Sequence, residues 1–425
     1  MALESVITMG TASIKYGRSA TREVGFDMKE LGATRVMVVT DPMMAHQEPV
    51  RLALQSLEQE GLKSVLYANA RVEPTDASMK EAIEFAKKGS FDGFVAVGGG
   101  SSIDTAKVAD LYSSYPADFL TYVNAPVGRG TLVPGPLRPL IGIPTTAGTG
   151  SETTGVAIFD LVEMHAKTGI SHRYLRPTMG IVDPDNTRTL PKMVAACTGF
   201  DVLVHALESF TALPYDQREA PENPRLRPAY QGSNPISDVW ATKAIEMVTK
   251  NIVRVVKNPE DAEARSQMML AAMFAGIGFG NAGVHLPHGM SYPVSGMVRS
   301  YRPEGYPQEH AIIPHGMAVI LNAPSVFRFT GAAIPDRHLE AARLMGVNVA
   351  NVPPEEAGDA LADAVISLMK RTEMPSGLAE VGFTVQDIDK LVEGTLPQRR
   401  VTSLSPRPFT AKDLKALFDG ALKYW

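Results

Sequence analysis

FDGFVAVGGGSSIDTAKVADLY, residues 91–112, is the stretch on which the fold turns. A run of β-branched and small apolar residues ends in Gly98, Gly99 and Gly100, and a helical pattern opens directly behind Ser101. Strand, glycine turn and helix N-terminus in succession make a phosphate site. Glycines let the backbone approach, and the free N–H groups and helix dipole favour an anion. The turn has neither the G-x-G-x-x-G spacing of the dinucleotide fingerprint nor the G-K-[ST] ending of a P-loop. A tight turn into a helix would read the same way.

The same texture extends on both sides. RVMVVTD at 35–41, SVLYANA at 64–70, PLIGIPTT at 139–146 and MGIVDP at 179–184 read as further buried strands. EPVRLALQSLEQEG at 48–61 and DASMKEAIEFAKKG at 76–89 read as amphipathic helices. Strand and helix in alternation predict a parallel sheet with helices on its faces. After Pro191 strand-like runs become scarce, and helical segments read at 191–211, 235–256, 259–277, 335–346, 354–371 and 410–423. The expected architecture is an α/β nucleotide-binding domain over 1–190 and an all-helical domain over 191–425. Residues 211–235 form a proline-rich loop.

A chain of 425 residues suits two domains and buries a core large enough to fold without disulfides. With 44% hydrophobic and 20% charged residues it is neither disordered nor collagen-like. Its 41 basic and 46 acidic residues do not fit a nucleic-acid partner. Cys197 is the only cysteine, which excludes an intrachain disulfide and a thiolate zinc cluster. The longest apolar stretches are interrupted by Gly, Pro or polar residues, so no membrane span is expected. The N-terminal MALESVITMGTASIKYG does not read as a signal peptide. The expectation is a cytoplasmic enzyme, or a mitochondrial matrix one if a presequence has been removed.

Two groups of residues carry chemistry. In the first half, Asp41 closes a strand, where a carboxylate can accept from adenosine ribose hydroxyls and repel a 2′-phosphate, favouring NAD over NADP. It could equally cap the turn that follows. IPTTAGTGSETT at 143–154 sets six hydroxyl residues among three small ones behind a strand, chemistry suited to a pyrophosphate or a ribose. In the second half, four of the nine histidines, His285, His288, His310 and His315, fall within 31 residues. Upstream, Asp201 and His205 stand at i and i+4 on one helix face, where a carboxylate and an imidazole can share a cation. One Asp with three His suits Fe(II) or Zn(II).

GGGSSIDTAK, IPTTAGTGSE, GFDVLVHALE and the two PHG segments, in this order, resemble the iron-containing (group III) alcohol dehydrogenases across nearly the whole chain. RPAYQGSNPISD at 227–238, GFGNAGVHLPHGMSYPVSG at 278–296 and GTLPQRRVT at 394–402 are similar to the hydroxyacid-oxoacid transhydrogenase branch. Members of that branch oxidise 4-hydroxybutyrate to succinic semialdehyde, reduce 2-oxoglutarate to 2-hydroxyglutarate and recycle a bound nicotinamide. The resemblance implies Asp201, His205, His288 and His315 as metal ligands, with His288 preferred to His285 by its spacing from Asn281. It implies Gly98, Gly99, Gly100 and Ser101 at the pyrophosphate, and Thr145, Thr146, Thr149 and Ser151 toward the nicotinamide side. Lys167 falls where the family has a cofactor-contacting lysine. Where many members carry a further histidine for proton transfer this chain has Tyr292, so Tyr292, His285, or solvent with ribose hydroxyls would move the proton.

The resemblance also implies a metal-assisted hydride transfer between a small alcohol or hydroxyacid and the nicotinamide, by a homo-oligomer. Carboxylate substrates would need a cation for their distal group; Arg129, Arg173, Arg225 and Arg227 lie in or near loops but also read as plain surface arginines. The competing readings are a conventional NAD-dependent alcohol or semialdehyde dehydrogenase, a metal-dependent lyase or hydrolase, and a non-catalytic binding protein.

Overall fold

The computed structural model describes residues 2–164, 166–306 and 308–425. The chain divides into two compact units, Gly10–Thr189 and Leu190–Trp425 together with Met1–Met9. The sequence pattern groups the first residues with the α/β half; residues 2–9 belong instead to the helical unit. Glu4 pairs with Arg227 at 2.9 Å, and the Thr8 N–H donates to Gln231 Oε1 at 2.8 Å.

The α/β unit holds a six-stranded, all-parallel sheet. Its strands are β1 (Ser13–Tyr16), β2 (Arg35–Val39), β3 (Lys63–Tyr67), β4 (Gly93–Gly98), β5 (Leu140–Pro144) and β8 (Met179–Val182), in spatial order β1-β8-β5-β4-β2-β3. A separate antiparallel hairpin joins β6 (Val156–Leu161) to β7 (Ala166–Ser171). The helices are α1 (Val24–Glu30), α2 (Glu48–Gln59), α3 (Asp76–Gly89) and α4 (Gly100–Ser114). Every residue of β4 and β5 is buried, as the apolar runs require of parallel strands covered on both faces. Helix α3 starts at a capping box in which Thr75 and Ser78 satisfy each other's backbone N–H groups. From β2 the chain steps outward to β3 and then returns to the other side, to β4. The carboxyl ends of β2 and β4 therefore flank a topological switch point, the usual ligand crevice of an open α/β sheet.

The helical unit contains no strand among the described residues. Its first members are α5 (Lys192–Thr211), α6 (Pro235–Lys257), α7 (Ala262–Ala282), α8 (Leu286–Gly296) and α9 (His315–Ile320). Further helices follow as far as Ala411–Gly420. Asn234 caps α6, accepting from the Ser237 N–H at 2.9 Å with Pro235 at the first position, and Asp261 caps α7 by accepting from the Ala264 N–H at 3.0 Å. Helix α5 is long and apolar enough to cross a membrane, but 83% of its apolar window is buried inside the fold. Phe200, Val202, Leu203, Val204 and Leu207 are fully enclosed, each contributing about 1.5–3 kcal/mol of hydrophobic stabilisation. Helix α5 is the core helix on which the chemistry is mounted.

Candidate active site

Two turns of α5 place Asp201, His205 and Glu208 on one face, at i, i+4 and i+7. Helix α8 brings His288 to that face, and α9 begins with His315. Asp201, His205, His288 and His315 offer ligand atoms that all lie within 4.8 Å of one another. From the Asp201 carboxylate, the distances are 3.8 Å to His205 Nδ1, 3.6 Å to His288 Nε2 and 3.7 Å to His315 Nε2. Ligand atoms around a metal with bonds of about 2.1 Å stand roughly 3.4 Å apart. Asp201 Oδ1, His205 Nδ1 and His288 Nε2 are buried without a hydrogen-bond partner. Buried polar atoms are normally satisfied, so three orphans aimed at one point fit a cation. The donor set is one hard oxygen and three imidazole nitrogens, which suits Fe(II) or Zn(II).

Glu208 was not singled out from the sequence, although its spacing from His205 would have placed it on the same face. It is fully buried and accepts from the N–H groups of His285 at 2.7 Å and His288 at 3.2 Å, and from His288 Nδ1. That last bond holds a proton on Nδ1 and leaves Nε2, which faces Asp201 and the cluster, as the nitrogen that would ligate a metal. Burial disfavours a charged His288, yet the Glu208 carboxylate and Asp201 outweigh it and lift its pKa to about 10. Burial likewise opposes ionisation of Asp201, but His205, His315 and His288 hold it well below the carboxylate range. The pocket thus demands a positive charge at its centre, which a metal on Nε2 would supply with Nδ1–H still bonded to Glu208. Burial pushes His205 down to about 3, leaving it neutral, the form in which imidazole binds metal. Its ring stacks on Phe279 at 3.9 Å.

His285 stands outside the cluster. The Thr211 hydroxyl donates to the Leu207 carbonyl at 2.7 Å and so receives the His285 Nε2–H at 3.0 Å. Burial depresses His285 to about 4. Tyr292 lies one turn beyond His288 on α8, and its hydroxyl accepts from Arg400 at 3.0 Å.

In the α/β unit the glycine turn is crowded from above by the threonine-rich loop. A Cβ on Gly100 would lie 2.5 Å from Thr149 Oγ1, one on Gly98 2.5 Å from Ser102 Oγ, and one on Gly99 3.6 Å from Thr146. The Thr145 N–H donates to the Gly98 carbonyl at 3.0 Å. Asp41 reaches the same place, its Oδ2 standing 3.6 Å from the Gly98 Cβ position. Its Oδ1 caps the following turn, accepting from the N–H groups of Met43 at 2.9 Å and Met44 at 3.0 Å. Burial raises its pKa, partly offset by those bonds. The structure therefore brings Asp41, Gly98, Gly99, Gly100, Thr146 and Thr149 together at the switch point, with Ser101 in the first turn of α4.

Ser151 and Lys167 each have protein partners. Lys107, fully buried on α4, donates to Ser151 Oγ at 2.6 Å and to the Val156 carbonyl at 2.7 Å, while Asp104 accepts from Ser151 and from the Ile158 N–H. This pair, which the sequence reading passed over inside SIDTAK, pins the threonine-rich loop and β6 to α4. Lys167, on β7, is buried between Glu73 at 2.6 Å and Asp160 at 3.1 Å.

Comparison with known proteins decides the family. Residues 11–184 match the profile of iron-containing alcohol dehydrogenase, and residues 229–422 that of the C-terminal region of the Fe-containing alcohol dehydrogenase family. The chain belongs to the iron-containing alcohol dehydrogenase family. It is 54% identical to the mitochondrial hydroxyacid-oxoacid transhydrogenase of Xenopus laevis and 52% identical to that of Homo sapiens, each over 98% of this chain and 90% of the relative. An alcohol dehydrogenase from Oenococcus oeni has the same fold, with a TM-score of 0.85 and 26% identity over 98% of this chain and 100% of that one. A sulfoacetaldehyde reductase from Bifidobacterium kashiwanohense in complex with NAD+ follows at TM-score 0.80 and 25% identity, over 99% of both chains. The expected fold class and family are those found, and the protein is an oxidoreductase acting on small molecules in a family of iron and nicotinamide enzymes.

Proposed function

We propose that the enzyme exchanges hydride between a hydroxyacid and an oxoacid, oxidising 4-hydroxybutyrate to succinic semialdehyde and reducing 2-oxoglutarate to 2-hydroxyglutarate on one retained nicotinamide. The convergence of Asp201, His205, His288 and His315 at one buried point carries the chemistry. The substrate class comes from the relatives, whose name is hydroxyacid-oxoacid transhydrogenase.

An Fe(II) ion held by these four residues would supply Lewis acidity that lowers the pKa of a substrate hydroxyl, and a nicotinamide would supply the hydride acceptor. Zinc would fit the same donors; iron is proposed because the family is named for it. Asp201 stays ionised and offsets one of the two cationic charges. Glu208 keeps His288 in the ligating tautomer. At the other site, Gly98, Gly99, Gly100 and Ser101 receive the pyrophosphate on the amino end of α4, and the Thr145, Thr146 and Thr149 segment lies toward the nicotinamide. Ser151 acts through Lys107, which holds that segment in place. Asp41 selects NAD over NADP by accepting from ribose hydroxyls and repelling a 2′-phosphate. Lys167, held by Glu73 and Asp160, is assigned to a contact with the cofactor. The substrate proton is assigned to a relay through the Tyr292 hydroxyl, which would pass its own proton on as it receives the substrate's, ahead of the enclosed His285. Each turnover moves one hydride and one proton out of the hydroxyacid and returns them to the oxoacid, so no nicotinamide is consumed. The relatives' names favour a mitochondrial location over the cytoplasmic one, and a homo-oligomeric assembly belongs to the same reading.

The test uses protein purified without added nicotinamide and supplied with Fe(II), 4-hydroxybutyrate and 2-oxoglutarate. Semialdehyde and 2-hydroxyglutarate forming together without added NAD supports the exchange. Product appearing only with stoichiometric NAD, as NADH accumulates, replaces it with a conventional dehydrogenase.

A further inference from the structure

We propose that Arg400 receives the distal carboxylate of the hydroxyacid and oxoacid substrates, in a site it forms with Tyr230 beside the metal cluster. The inference rests on the substrate class proposed above.

Arg400 lies in the short helix Arg399–Thr402, which packs on α8 so closely that a Cβ on Gly289 would stand 2.4 Å from Thr402. One guanidinium nitrogen donates to the Tyr292 hydroxyl at 3.0 Å, and the group stands 5.2 Å from the centre of the Tyr230 ring. The other terminal nitrogen, Nη1, is buried and has no hydrogen-bond partner. No carboxylate pairs with Arg400 among the described residues. A guanidinium drawn out of water and left without a counter-ion is costly, so an anion arriving there gains both the charge and the missing acceptor.

Two short routes tie this cation to the metal cluster. Tyr292 is one helical turn from His288 on the same face of α8. Tyr230 meets Phe279 edge-on at 6.4 Å, and Phe279 stacks on His205. A small substrate with a hydroxyl at one end and a carboxylate at the other calls for such a pairing of metal cluster and cation. The other arginines serve less well. Arg227 is paired with Glu4, Arg129 with Asp118, Arg173 stands over Tyr174, and Arg225 is exposed. Arg265 also has buried nitrogens without partners, but it starts α7, about 20 Å along the helix axis from Phe279.

The experiment compares Arg400→Met and Arg400→Lys with the wild type, all Fe(II)-loaded and checked for native circular dichroism. One arm measures calorimetric binding of succinate, an unreactive dicarboxylate. The other measures the rate and the half-saturation (KM) for single-turnover reduction of the bound nicotinamide by 4-hydroxybutyrate and by uncharged butane-1,4-diol. Arg400→Met should weaken succinate binding and raise KM for 4-hydroxybutyrate about tenfold to a hundredfold, the range for a lost hydrogen bond to a charged group. The loss with the diol should be at least tenfold smaller, and Arg400→Lys should fall between. Equal losses on both substrates, a methionine variant that binds succinate like the wild type, or a wild type that does not bind it would each overturn the assignment. If 4-hydroxybutyrate oxidation proves to need free NAD, the exchange reading fails while the succinate arm still decides Arg400.

Discussion

At the residue scale, Glu208 decides how His288 presents itself. A glutamine there keeps an oxygen for the N–H groups of His285 and His288 but turns an amide N–H₂ toward His288 Nδ1. The imidazole then satisfies that donor by moving its proton to Nε2, the atom facing Asp201 at 3.6 Å. Glu208→Gln is therefore expected to weaken Fe(II) or Zn(II) binding by about tenfold to a hundredfold, the usual cost of losing the group that orients a ligand. An equilibrium metal titration with a competing chelator measures it. Affinity equal to wild type would mean that Glu208 only tethers the 283–288 segment.

At the element scale, α9 hangs on one glycine. A Cβ on Gly316 would come within 2.0 Å of the Cys197 carbonyl oxygen on α5 and 3.0 Å of the Asp201 Cβ. The obstacle is backbone, so in Gly316→Ala α9 must move away, at a cost of about 1–3 kcal/mol or more, carrying His315 with it. A lower melting temperature with a substoichiometric metal content is expected; a variant that keeps full metal would show that α9 can shift without moving its ligand. This packing explains what the sequence could and could not reveal. The strands ending at Asp41 and Gly98, helix α3 and the Asp201–His205 face were legible because a single periodicity describes each. Strand β1 was missed because SIKY is four residues long and exposed at both ends, and the β6–β7 hairpin because its placement depends on Lys107 and Asp104 from another element. Helices α8 and α9 hid behind glycines and Pro293, residues that ordinarily end a helix. Their histidines were conspicuous, but the helices that aim them were not, and Arg400 drew notice only as part of a similar segment.

At the scale of the whole molecule, the two units answer to different chemical variables. The helical unit gathers Asp201 and three imidazoles around a charge it does not itself provide. Chelating the metal should therefore lower its stability by the metal's binding free energy and raise amide hydrogen exchange in α5, α8 and α9. The α/β unit contains instead Asp110, buried toward the carboxyl end of α4. Burial pushes its carboxyl up to about 7, although the Ser114 hydroxyl and Arg138 pull it part of the way back. Glu152 is raised to about 7 for the same first reason. A carboxyl with a raised folded-state pKa binds its proton more tightly when folded. Stability is therefore greatest below the unfolded value near 4, falls as pH rises toward 7, and levels beyond it. Asp110→Asn keeps the shape, removes one of the two titrating groups, and should flatten part of that slope while stabilising the α/β unit above pH 7 by on the order of a few kcal/mol. Hydrogen exchange of α4 and β4 across pH 5–8, with metal and with chelator, separates the two effects. Should chelation loosen α4 as much as α5, or the Asn variant keep the wild-type pH slope, this division of labour between the units would be wrong.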